Sequence, residues 1–443
     1  MDTIIKLFSR FKDDFAHSKK GHERSQWFIY AIVSIIIPFT TAKSSSLLRC
    51  LHFIFGFTYI TSRRFYTFMA STKIPWDKLW RSLIRVIPNP DTDARLIVAL
   101  DDCINPKVGK KIFACYKFFD HAAKDNQSKY PWAQNIVAAG LLKKIKGRWA
   151  CMPLFFKFYQ PKKAFEVKEI LMGRKKLEFK NKLNQAVDML EQIYQEFNQS
   201  ILVVADSWFG NNGMWKPARN KLGEKIHILS RLRCNINLFD LPEPQSKSQR
   251  GRPRKYGGFI GKVADRALEF KSYAQSYKVD LYGKKRTVMA FEKTVMLKTI
   301  KHKVRVVWVY NRTRYVALFT TDLTLSVQEI IEYYGARWKI ESGFKELKQE
   351  IGSSQTQCRD AQAVTNHLNF CMMATSIIWI YAMELGKCPK RRHAVKGRNH
   401  FAFSDVRRDL TKAIMNENFE GVCSEMPKPP RKDIITTMLR MAA

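Results

Sequence analysis

Between Gln26 and about Val86, apolar residues recur at helical spacing, interrupted by Pro38, Pro75 and basic pairs such as Arg63-Arg64, until Pro88-Asn89-Pro90 breaks the pattern. This predicts a helical N-terminal module over 1–90, acting either on DNA ends or as a helical cap on the main domain. After the break, Arg95-Leu-Ile-Val-Ala-Leu100 is a continuous apolar run closed by Asp101-Asp102, the pattern of a buried central strand with acids at its C-terminal end. Strand-like runs come next at 111–119 and 149–159. Leu183, Val187, Leu190 and Tyr194, at steps of three and four, predict an amphipathic helix over about 177–197. It leads into a second buried strand, Ile201-Leu-Val-Val-Ala205, closed by Asp206. Strand, helix and strand in this order make 91–225 the first part of a mixed α/β sheet.

From 226 to 323 the texture turns to short, often alternating runs at 225–232, 279–281, 286–291, 304–310 and 314–319, which predicts a β-rich segment. A Pro-, Ser- and Gly-rich stretch over 241–258 interrupts it. One long helix is predicted from Ser326 to Gln349 and a second, apolar one over about 361–385, together filling 324–386. The remainder, 387–443, is a basic tail in which Phe403-Ser-Asp405 opens a short helix and Arg407-Arg408 reads as solvated charge.

Charge narrows the function. Lys and Arg total 77 against 39 Asp and Glu, a net +38, and that self-repulsion points to a polyanionic partner. Nucleic acid comes first and an anionic membrane surface second. The longest apolar stretches, Trp27 to Ile37 and Phe370 to Met383, fall short of the roughly 20 residues that span a bilayer. The first residues carry no secretory signal pattern, so the cytoplasm is the expected compartment. The nine cysteines are scattered and form no C-x2-C pair, and no histidines stand at i, i+4 or as H-E-x-x-H. Any metal should therefore be hard and held by carboxylates.

The helix SVQEIIEYYGARWKIESGFKELKQ carries the most specific signal. At about 100° per residue, Tyr334 at 0°, Arg337 at roughly 300°, Glu341 at roughly 340° and Lys348 at roughly 320° share a sector of about 60°. A solvated face stapled by i, i+4 pairs such as Arg337 with Glu341 is the plain reading of such a stripe. The spacing Tyr334-x2-Arg337-x3-Glu341-x6-Lys348 also resembles the Y-R-E-K signature of the DDE transposases of bacterial insertion sequences, specifically the "IS-four" family. LIVALDDC with Asp101 and ILVVADSWFG with Asp206 fit the same resemblance.

That resemblance implies an RNase H-like mixed sheet flanked by helices, interrupted by the β-rich insertion, with helical N- and C-terminal regions. It implies catalytic and metal-holding roles for Asp101, Asp206 and Glu341, around two Mg²⁺ ions for which Mn²⁺ would substitute. It implies a nucleoid-associated bacterial protein that acts as a homodimer or higher homo-oligomer on transposon inverted repeats and target DNA. Tyr334, Arg337 and Lys348 would then contact the phosphate backbone, and Trp208 or Trp338 would either stack on a flipped base or pack in the core. Family members show Asp-x-Thr at the first acid, whereas this chain has Asp101-Asp102-Cys103, so Asp102 is the fallback if the register is off by one. A decayed or repressor-like DNA-binding protein is the alternative. Finally, Arg250, Arg252, Arg254 and Lys255 in RGRPRKYG look like an AT-hook, which inserts arginines into the minor groove, or else form a basic loop on phosphates.

Overall fold

The run after residue 95 folds as a central strand because each of its faces meets a separate apolar layer. In β1 (Arg95–Pro106), Leu96, Val98 and Leu100 enter one core while Ile97 and Ala99 enter the other. The computed structural model describes residues 1–38, 42–88, 95–121, 123–167, 169–173, 175–243, 254–312, 314–393 and 400–416. Beside β1 the chain adds β2 (Cys115–Lys117), β3 (Trp132–Ile145) and β4 (Arg148–Tyr159), then a small hairpin of β5 (Leu171–Met172) and β6 (Lys175–Lys176). The strands β7 (Ser200–Ala205) and β8 (Ile226–Arg231) come next, and then β9 (Asn237–Phe239), β10 (Phe259–Lys262), β11 (Gln275–Leu281), β12 (Lys284–Leu297), β13 (His302–Asn311) and β14 (Arg314–Thr320).

All except β5 and β6 join one mixed sheet. Around β1 the order is β4-β3-β1-β7-β8, with β3 antiparallel to both β1 and β4, β7 parallel to β1, and β8 parallel to β7. Leu100 stands opposite Ala205, so Asp101 lies beside Asp206; the first acid does not close its strand as the sequence suggested, because pairing with β3 carries β1 on to Pro106, whereas Asp206 directly follows the last residue of β7. From β8 the sheet continues without a break through β14, β13 and β12, antiparallel at every step. The sequence reading missed β3, the small β5–β6 hairpin, β9 and β10. In β3, a Cβ on Gly140 would lie 2.4 Å from Cys151 Sγ, beside a bulge in the β3–β4 register, so the bare backbone is what permits this pairing.

On one face lie α7 (Lys182–Phe197) and α8 (Asn212–Leu222), and on the other α10 (Val327–Ala336) and α11 (Trp338–Lys345). The N-terminal helices α1 (Asp2–Asp14), α2 (Lys19–Ile36), α3 (Ser44–Phe53), α4 (Ser62–Met69) and α5 (Trp76–Ile84) share a core with the buried helix α12 (Ala361–Glu384). Polar pins fix them: Trp76 Nε1 donates to Asn366 Oδ1 at 2.7 Å, Trp80 Nε1 to Asn369 Oδ1 at 2.9 Å, and Asn366 Nδ2 to the Met69 and Ser71 carbonyls, both at 2.9 Å. The short α6 (Lys162–Val167) and α9 (Val263–Phe270) complete the body with α13 (Phe403–Asn416). No helix among the described residues is long and apolar enough to cross a membrane.

Two expectations are corrected here. The helix from Ser326 is not uniform: α10 opens with a Ser326/Glu329 capping box and passes through Arg337 into α11, and residues 346–351 form a π-helical turn. An even step of 100° therefore does not carry through to Lys348. Arg407 is not solvated either. It is 5 % exposed, and its guanidinium donates to the carbonyls of Ile35 (2.8 Å), Ile36 (2.8 Å) and Ile37 (3.4 Å), and to that of Glu350 in the π-turn. It caps the C-terminal end of α2, where carbonyls have no partner in their own helix. Arg408 pairs with Asp405.

Candidate active site

Alternation along β1 sends Asp101 toward α10 and α11 and Asp102 toward α7. Asp101 accepts at Oδ1 from the Asp102 amide (2.8 Å) and faces Arg337 Nη1 at 3.4 Å. Burial pushes its carboxyl up to about 7; Arg337 and the amide oppose that rise, while Asp206 and Asp102 add to it. Asp102, the fallback, is taken on the opposite face: its Oδ2 accepts from Lys182 Nζ at 2.8 Å and Asn135 Nδ2 at 3.0 Å. Cys103 returns to the face of Asp101, against Lys348. Its thiol is pushed up to about 11 by burial, which makes it a neutral packing group at pH 7.

Asp206 is fixed by the turn at the end of β7. Its Oδ1 accepts from the amides of Trp208 and Phe209, both at 3.0 Å, and its carbonyl accepts from Ser230 Oγ (2.8 Å) and the Gly210 amide (2.9 Å). A Cβ on Gly210 would lie 2.1 Å from Ser230 Oγ, so the DSWFG turn needs glycine there to close against β8.

The third acid approaches through a shared cation. Arg337 Nη2 lies 2.9 Å from Glu341 Oε1 while Nη1 faces Asp101, so one guanidinium, 13 % exposed, bridges carboxylates from a strand and a helix. Burial works against the Arg337 charge, but Tyr334, Asp101 and Glu341 outweigh it and raise its pKa. The Arg337 guanidinium carbon sits 5.8 Å from the centre of the Tyr334 ring, whose phenol burial raises. Lys348 Nζ donates to the Ile104 carbonyl at 2.7 Å, further along the strand from Asp101. Asp101, Asp206, Tyr334, Arg337, Glu341 and Lys348 thus gather on one side of the sheet end.

The remaining candidates lie elsewhere. Arg250 and Arg252 fall outside the described residues, and Arg254 and Lys255 are exposed beside β10. Seven strand steps separate β10 from β1, roughly 30 Å at ~4.8 Å each, which places Arg254 and Lys255 away from the acids. Trp208 and Trp338 are not core residues: they are 41 % and 53 % exposed. Sequence reasoning missed Lys182 and Asn135. Lys182 did carry a signal, being a cation in the first turn of a helix, where the macrodipole disfavours it.

Among the described residues, no three His, Cys, Asp or Glu side chains converge as a ready metal cluster. The donor set nonetheless suits a hard divalent ion. Asp101 and Asp206 offer carboxylate oxygens from neighbouring parallel strands, and the raised carboxyl of Asp101 marks a place where burial and neighbouring acids outweigh the attraction of Arg337. Glu341 would complete the set once Arg337 releases it.

No curated protein matches the chain. A family described as DDE superfamily endonuclease matches residues 61–286, a span that holds Asp101 and Asp206 and ends before the helix of Glu341. With just over half its residues matched and two acids side by side on adjacent parallel strands inside that span, the chain belongs to the DDE superfamily endonucleases.

Proposed function

We propose that this endonuclease is a DNA transposase of insertion-sequence type, which nicks DNA at terminal inverted repeats and transfers the freed 3′-hydroxyl to target DNA. The observation that carries the reading is the Arg337 bridge, which ties Glu341 of the Y-R-E-K spacing to Asp101 beside Asp206. The order β4-β3-β1-β7-β8, with only β3 antiparallel to its neighbours, supports an RNase H-like core. We read that core as 91–225 and 324–386 with β8 as its fifth strand, the rest of 226–323 as a β-rich insertion, 1–90 as a helical DNA-binding module and 387–443 as a basic tail.

Asp101, Asp206 and Glu341 would hold two divalent ions, Mg²⁺ or Mn²⁺. When bound, such ions lower the pKa of the attacking water or hydroxyl and stabilise the leaving oxygen. The protein's own groups position the phosphate. Arg337 offers two parallel donors to phosphate oxygens once it leaves the carboxylates, Lys348 adds a point charge, and Tyr334 braces the guanidinium. The exposed Arg254 and Lys255, with Arg250 and Arg252, would grip DNA away from the cleavage point. Two transposon ends call for at least two copies of the chain.

The test is cleavage of a labelled duplex ending in the element's inverted repeat, with wild type and Glu341→Gln compared in Mg²⁺ and in Mn²⁺. Wild type should nick at the repeat boundary while the variant binds without cutting. If both bind and neither cuts, the protein is a noncatalytic DNA binder.

A further inference from the structure

Behind β1, on the face away from Glu341, the ammonium of Lys182 touches both acid-bearing segments. It pairs with Asp102 Oδ2 at 2.8 Å, and it lies 5.6 Å from the centre of the Trp208 ring and 5.2 Å from that of Tyr159. Asp102 and Trp208 are the residues whose backbone amides hold the other two acids: the Asp102 amide donates to Asp101 Oδ1 and the Trp208 amide to Asp206 Oδ1. One cation therefore links the side chains of two residues whose backbone amides orient Asp101 and Asp206; the Phe209 amide is the third such donor.

Its placement has a cost. Lys182 opens α7, where the helix dipole opposes a positive charge. The side chain is 18 % exposed and its partner Asp102 23 %, so the contact is shielded from water beyond what a surface pair receives. Asn135 donates at 3.0 Å to the same Asp102 oxygen, which fixes the carboxylate that Lys182 meets.

We propose that Lys182 is a positioning residue for the endonuclease reaction: through Asp102 and Trp208 it holds the carboxylates of Asp101 and Asp206 in mutual register. This rests on reading those two acids as the reaction's ligands. Small displacements matter in such a pair, since a shift of about 1 Å can cost about 100-fold in rate and outer-shell partners change metal affinity by about 10–100-fold.

The test compares wild type, Lys182→Met, Lys182→Arg and Asp102→Asn in the full chain. Mn²⁺ binding without DNA is followed by electron paramagnetic resonance, and cleavage of the repeat duplex supplies kcat, KM and DNA affinity. Lys182→Met and Asp102→Asn should weaken Mn²⁺ binding about tenfold and lower kcat at least tenfold, with KM for DNA within about threefold of wild type. Lys182→Arg should regain most of both. Unchanged Mn²⁺ affinity with a raised KM and a shallower salt dependence would overturn the proposal and make Lys182 a phosphate contact. If Lys182→Met fails to fold, Asp102→Asn and Lys182→Arg decide by the same readouts. A wild type that neither binds Mn²⁺ nor cuts would instead overturn the transposase reading.

Discussion

Replacing Asp101 by Asn should stabilise the metal-free protein while abolishing cleavage. Burial pushes this carboxyl from 3.8 up to about 7, and the side chain is only 19 % exposed. A group raised in the folded state holds a proton there that the unfolded chain has already lost, so stability falls as pH climbs from about 4 through about 7. At ~1.36 kcal/mol for each of about three units, the charged carboxylate costs about 4 kcal/mol above pH 7. Asn occupies nearly the same volume and carries no charge, and Arg337 keeps Glu341 as its partner. With metal chelated, urea unfolding followed by circular dichroism should place Asp101→Asn about 2–4 kcal/mol above wild type at pH 8, with the gap reduced by more than half at pH 5. A variant no more stable than wild type at pH 8, or equally stabilised at both pH values, would refute the reasoning.

Two further substitutions probe the frame around the site. Arg407→Ala leaves the carbonyls of Ile35, Ile36, Ile37 and Glu350 without their shared donor, and at about 1–3 kcal/mol for a buried acceptor left unpaired it should lower the urea midpoint. Asn366→Leu strips partners from the Met69 and Ser71 carbonyls and the Trp76 indole. At about 1–3 kcal/mol for each buried group left unpaired, limited proteolysis should release the N-terminal helices faster than in wild type, and unchanged protection would count against those pins.

The parts of the fold legible in the sequence were those in which local pattern and tertiary role agree. The continuous apolar runs of β1 and β7 are buried on both faces, so hydropathy alone marks them and the acids that close them. The capping box at Ser326 and the apolar length of α12 are equally local signals. In contrast, β3 reads Ala138-Ala139-Gly140-Leu-Leu-Lys-Lys, with weak strand propensity, and forms because β1 and β4 both pair with it. Arg407 looked solvated because a charged pair in a basic tail gives no hint of the α2 carbonyls, over 300 residues away in sequence, that need a donor. The register question at Asp101-Asp102 needed three dimensions as well: alternation separates the two acids, but only Lys182 and Asn135 on one side and Arg337 on the other show which faces which.

The unbroken sheet has a mechanical consequence. The outer strands join the inner ones along a narrow neck, where Leu318 to Thr320 pair with Arg231 to Leu229. Ser230 sits in this neck, opposite Phe319, with its hydroxyl on the Asp206 carbonyl, and α10 splints the neck by packing on strands from both sides of it. Ser230 therefore joins the far strands to the second acid twice, through its strand pairing with Ala205 and through its hydroxyl on the Asp206 carbonyl.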